Sequence, residues 1–175
     1  MSRRGGGFRL PWQHGRPVAA VEHALPPVQR HIASFRLGPT AVRRAREAVT
    51  EHLPEAGVAP GSAFADAVVL ATSELVVNVL RHAPRTPVME VGITVAAGQL
   101  VISVADTEPK LPDLSDEGMG AGLRTVAELA ATYGGDVSAE PAVDHDGKVV
   151  LVRFSIPSPG GVHRWTPRQD RKTAP

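Results

Sequence analysis

The chain has 175 residues, 42% of them hydrophobic, enough for one domain with a real core. It has no cysteine, which excludes a disulfide framework and a thiolate metal site. The net charge is +1, but residues 1–33 (five arginines, Glu22) carry +4 and residues 157–175 (Arg164, Arg168, Arg171 and Lys172 against Asp170) carry +3, which leaves −6 on residues 34–156; an acidic core between basic ends argues against a nucleic-acid-binding fold.

Both ends are rich in Gly, Pro and polar residues, so 1–32 and 157–175 are expected to be disordered basic tails flanking one domain over 33–156. They hold both tryptophans, Trp12 and Trp165, each either a stray aromatic in a linker or a docking anchor for a partner. The start, MSRRGGGFRLPWQ, lacks the apolar middle of a secretory signal. No uninterrupted apolar run reaches the roughly 18 residues of a membrane helix. The expectation is a soluble, cytoplasmic protein with no membrane contact.

In chain order, ASFRLG at 33–38 alternates weakly and predicts a short strand. Pro39 and Thr40 open a helix to about residue 55, with Val42, Ala45, Val49 and Leu53 as its apolar stripe. After a loop with Gly57, Pro60 and Gly61, Ser62 caps a second helix, with Asp66 in its early turns, that stops before Pro84. The period then changes: PVMEVGITVAAGQLVISVAD predicts strands at 87–96 and 99–105 around a turn at Ala97-Gly98. TEPKLPDLSDEG, 107–118, is a polar loop. MGAGLRTVAELAATYGG is a helix with Leu123, Val126, Ala127 and Ala130 inward, ended by Gly134-Gly135. DVSAEPAV and KVVLVRFSI close the chain as two strands. This order predicts an α+β two-layer sandwich, a mostly antiparallel sheet with helices on one face.

The second helix poses a problem. Ten of the fourteen residues from Ala67 to Leu80 are apolar, so it should be covered on most sides. Yet Glu74, Asn78 and His82 follow each other at four-residue spacing and share a face. A buried carboxylate costs several kcal/mol unless paired. Either Glu74 and Asn78 find structural partners, or they face a site; a carboxylate and an amide one turn apart suit a hard cation and a base. GMGAGL, 118–123, leads three alternating glycines into a helix. It is either a hinge or a phosphate-facing helix start, though not a dinucleotide fingerprint or a Walker loop. Asp106, where an apolar strand meets the loop, either caps that loop or accepts from a base amine.

The order of these features closely resembles the GHKL ATP-binding family of histidine kinase catalytic domains, gyrase-type ATPases and anti-sigma factor serine kinases. SELVVNVLRHA resembles the N-box, VADTEP the first glycine box, GMGAGL the second and GKVVLVRF the closing strand. The likeness covers residues 33–156 and is strongest to the stand-alone serine-kinase-like branch of high-GC bacteria. It implies the Bergerat ATP-binding fold, ATP and Mg²⁺ as cofactors, and these roles: Asn78 as metal ligand, Glu74 as general base, Asp106 on the adenine amine, and Gly118, Gly120, Gly122 and Leu123 in the lid over the phosphates. His82 would stand near the ribose or phosphates. It also implies protein partners, a sigma factor or an anti-sigma antagonist, and a possible homodimer. A non-catalytic ATP-gated regulator and a plain ATPase are the alternatives. Glu108 and Lys110 stand where the family usually has glycine, and Val149 where it often has threonine.

Overall fold

The structure is a computed structural model, described for residues 27–143 and 146–158. Five strands form one sheet in the order β1-β2-β3-β5-β4, every neighbouring pair antiparallel. They are β1 (Gln29–Arg36), β2 (Val88–Ala96), β3 (Gln99–Asp106), β4 (Val137–Pro141) and β5 (Lys148–Ser155). The helices α1 (Ala41–His52), α2 (Ala63–His82) and α3 (Ala121–Thr132) cover one face. α2 lies between α1 and α3 and rests on β3, while α1 covers β1 and β2 and α3 covers β4 and β5. This is the α+β sandwich that the element order predicts.

The central place of α2 follows from its composition. Phe64, Ala65, Ala67, Val68, Ala71, Thr72, Leu75, Val76 and Val79 are buried on several sides of the helix, and each fully buried Val or Leu contributes about 1.5–3 kcal/mol. Ser62 caps it by accepting from the Ala65 N–H at 3.2 Å, and buried Thr72 satisfies its hydroxyl on the Val68 carbonyl at 2.8 Å. By length and a mean hydropathy of 1.7, α2 is apolar enough to cross a membrane, which a count of uninterrupted runs does not register. Half of that stretch is buried inside the domain, as a helix with neighbours on three sides requires.

Two boundaries differ from expectation. β1 begins at Gln29 rather than 33, so the domain starts four residues earlier. His31, Ala33 and Phe35 face the helices and Ile32 faces out, 52% exposed; a polar residue at an inward position and an apolar one outward mask the alternation. The first helix ends at His52, and Pro54–Ala56 form a separate 3-10 turn closed by Gly57 in the left-handed region at φ 72°. Residues 29–32, expected in the N-terminal tail, belong to β1; the rest of that tail up to residue 26, the C-terminal tail from residue 159, and both tryptophans lie outside the described residues.

The β2-β3 hairpin turns on Ala97 and Gly98, with φ of 50° and 74°. Two positive φ values mark a type I′ turn, where the strand twist is matched but a non-glycine residue is strained. Ala97→Asn is expected to raise unfolding free energy by up to about 1 kcal/mol, because Asn tolerates this region better than Ala. Urea titration of both proteins checks it, and an unchanged or lower midpoint would contradict it.

Candidate nucleotide site

The polar stripe of α2 emerges gradually from the core. Glu74 and Asn78 are half-buried and His82 is exposed. Among the described residues none of the three side chains has a hydrogen bond or ion pair. The structural-pair reading of Glu74 with Asn78 therefore has no support, and both are left to face a ligand or water.

α3 places its first turn beside Glu74. Gly120 precedes the helix in an extended conformation, φ −66° and ψ 159°. A Cβ on Gly122 would lie 2.7 Å from Glu74 Oε2, so a side chain there would push the carboxylate away from the helix start. The first N–H groups of a helix have no carbonyl within it to bond, and the dipole there favours negative charge. Glu74 thus stands beside an anion-favouring helix start. The Leu123 side chain belongs to the core, 7% exposed, so only its backbone is left for a ligand.

The loop between β3 and α3 is organised by its own polar groups. Asp113 Oδ1 accepts from the Ser115 amide at 2.9 Å and the Ser115 hydroxyl at 2.7 Å, and these bonds hold the Asp113 carboxyl below its ordinary range. The Gly118 N–H donates to Ser115 Oγ at 3.1 Å. A side chain on Gly118 would overlap the Asp113 carboxylate, while Gly120 faces open space. Arg124, one turn into α3, donates back to the carbonyls of Asp116 and Met119 at 2.9 and 3.2 Å.

Asp106 ends β3, 2% exposed. Its Oδ1 accepts from Lys148 Nζ at 2.9 Å and from the Glu108 N–H at 2.8 Å, and Lys148 also donates to the Glu108 carbonyl at 3.0 Å. Lys148 is itself 4% exposed. This buried ion pair went unread in the sequence; its one signal is a lysine at the first position of a strand whose alternate residues are core. The second carboxylate oxygen of Asp106 has no partner among the described residues, and it remains able to accept from an amine. Val149 is half-buried and alternates to the other face of β5, so the residue beside Asp106 is Lys148. Thr86, buried at the exit of α2, binds the Thr107 hydroxyl at 3.0 Å and accepts from the Thr107 N–H at 3.2 Å. That pair ties the exit of α2 to the strand end that carries Asp106.

A broad groove of about 760 Å³ lies elsewhere, on the outer side of α1, lined by Pro39, Val42, Arg43, Arg46, Thr50 and Val69 among others; none of the candidate residues lines it.

The profile of the histidine kinase-like ATPase domain matches residues 35–153, from the end of β1 into β5. The chain belongs to that family. The matched span includes the Glu-x-x-x-Asn stretch of α2, the strand-end Asp106 and the Gly-rich start of α3. Among solved structures it is similar to the histidine kinase domain of the blue-light activated histidine kinase of Erythrobacter litoralis EL346, at 19% identity and a TM-score of 0.45, covering 71% of this chain and 64% of that one. A further structure of the Erythrobacter litoralis kinase is similar at 20% identity and a TM-score of 0.45, covering 70% of this chain and 46% of that one. The chain thus spans less than two thirds of the kinase chains it resembles. No curated protein matches it in sequence.

Proposed function

We propose that the chain is an ATP-binding regulatory protein that acts as a serine/threonine kinase of the anti-sigma-factor type. In this reading it transfers the γ-phosphoryl group of ATP to a hydroxyl of a partner protein in the cytoplasm. The observation that carries it is the unpartnered Glu74 carboxylate against the start of α3, one helical turn from the unpartnered amide of Asn78. Asn78 offers a hard carbonyl oxygen of the kind Mg²⁺ takes, so the donor set fits a magnesium nucleotide. Bound Mg²⁺ supplies charge neutralisation on the phosphate oxygens. Asp106, held by Lys148 and the Glu108 amide, presents its second oxygen to the adenine amine. Glu74 aims the acceptor hydroxyl and takes its proton as the oxygen bonds to phosphorus and ADP departs. The partner is a sigma factor, an anti-sigma antagonist, or both, and a homodimer is part of the same proposal.

Asn78→Ala keeps helix propensity and removes one metal ligand. Mg·ATP affinity is expected to fall at least about tenfold, 1.4 kcal/mol, with the fold intact. Calorimetry showing unchanged Mg·ATP binding would remove Asn78 from the site.

The ion pair on Asp106, with Glu108 and Lys110 in place of glycines, favours a second reading: ATP binds without chemistry and gates a protein-binding surface. Incubation with γ-labelled ATP and serine-bearing candidate partners separates the two. Label on a partner supports the kinase. ATP-dependent binding with no transfer supports the gated regulator, and release of phosphate alone supports a plain ATPase.

A further inference from the structure

A second cluster of chemically capable side chains lies away from this site. His31 faces inward from the edge strand β1, His52 is the last residue of α1, and Glu55 sits in the 3-10 turn that follows. Pro54 starts that turn and Gly57 closes it, and the reversal brings Glu55 back beside His52. His31 Nε2 is 3.0 Å from Glu55 Oε2, and His52 Nδ1 is 3.1 Å from Glu55 Oε1. The two imidazoles stack at 3.7 Å between centroids, 10° from parallel. One ligand atom from each residue lies within 4.8 Å of the others.

We propose that His31, His52 and Glu55 form a binding site for a divalent transition-metal ion of the zinc class, distinct from the nucleotide site. Two neutral imidazoles and one carboxylate are a donor set that zinc takes with a water as fourth ligand. Zn–N distances of about 2.0–2.1 Å and Zn–O distances of about 2.0–2.2 Å place neighbouring tetrahedral ligands a little over 3 Å apart, close to the two nitrogen–oxygen contacts present. The stacked rings point their nitrogens side by side, so one ring must turn for both lone pairs to meet the ion. With side-chain exposures of 37% for His31 and 24% for His52, both can turn. The rings line a small cavity of about 30 Å³ with Ala33, Ala48 and Val91, which leaves slack beneath them. For binding, each imidazole takes the neutral tautomer protonated on the ring nitrogen away from Glu55, any second proton passing to water, and three metal–ligand bonds replace the two His–Glu contacts.

Both carboxylate oxygens of Glu55 face the two imidazoles. Among the described residues no lysine or arginine pairs with Glu55. The register also keeps the two sites apart. His31 is level with Ile93 on β2 and with Ile102 on β3, while Asp106 lies four residues further along β3. That is about 13 Å along the strands and two strand spacings, about 10 Å, across the sheet. A metal here would clamp β1 to the end of α1 without touching the nucleotide.

The test uses the full chain, freed of metal by chelator and titrated with Zn²⁺ by calorimetry, with imidazole proton resonances followed by NMR. The expected result is one ion bound tighter than millimolar, with the ring signals of His31 and His52 shifted. His31→Gln, His52→Gln and Glu55→Gln should each weaken binding at least about tenfold, since even losses behind the ligands cost ten- to a hundredfold. Mg·ATP binding should stay as in the native chain, which keeps this result separate from the proposed kinase. Equal zinc affinity in the native chain and the His31→Gln/His52→Gln variant would place any zinc on other histidines and overturn the site. So would binding no tighter than millimolar, or unshifted ring signals in the native chain, the last two needing no variant to fold.

Discussion

Glu74→Gln is expected to bind Mg·ATP within about tenfold of the native chain, roughly 1.4 kcal/mol, and to lose at least about a hundredfold in phosphotransfer. The side chain is isosteric and keeps one oxygen beside the start of α3, so the close approach to Gly122 survives. What goes is the carboxylate proposed as the base for the acceptor proton. Two outcomes are distinguishable. Transfer at the native rate, with both proteins saturated with ATP, would remove Glu74 as base. A loss of binding equal to the loss of transfer would make it a binding residue instead. Gln also removes a negative charge next to a site for phosphates, so a modest gain in ATP affinity is compatible with the prediction.

The second large effect concerns stability. Lys148→Met removes one partner of a buried ion pair whose side chains are 5% and 1% exposed. Breaking such a pair from one side leaves an uncompensated buried charge, and the expected cost is about 3–5 kcal/mol. The Glu108 amide still donates to Asp106 Oδ1, which puts the expectation toward the lower figure. Lys148→Met with Asp106→Leu should recover most of the loss, because two apolar side chains of similar volume replace the pair. The double variant should still fail to bind ATP, having lost the carboxylate proposed for the base amine. Urea unfolding of the three proteins checks the stability terms, and calorimetry with Mg·ATP the binding term. A single variant as stable as the native chain would mean that Asp106 reaches water more freely than its burial indicates.

Much of the architecture is legible in local sequence. α2 announces itself through length, the Ser62 cap and a stop before Pro84, and the β2-β3 hairpin through alternation broken at Ala97-Gly98. These signals act within a few residues, where propensity, capping and turn geometry are decided by the chain itself. The order of Glu74, Asn78, Asp106 and the glycines of 118–122 is likewise written in the sequence, and it carries the family resemblance. β1 is less legible, because an edge strand with His31 inward and Ile32 outward violates the pattern that burial normally imposes.

Other features exist only once the strands are in register. Lys148 is a polar residue at the start of a strand until antiparallel pairing sets it opposite Asp106, forty-two positions away. Gly122 is one of three alternating glycines until α3 lies beside α2 and its missing side chain makes room for Glu74. His31, His52 and Glu55 come from a strand, a helix end and a turn, with no motif spacing to join them. Sequence by itself determined which residue types were available and in what order, because capping, turns and periodicity are short-range. Only the tertiary structure decided which charges meet, because the partner of a buried carboxylate is chosen by packing between elements distant along the chain.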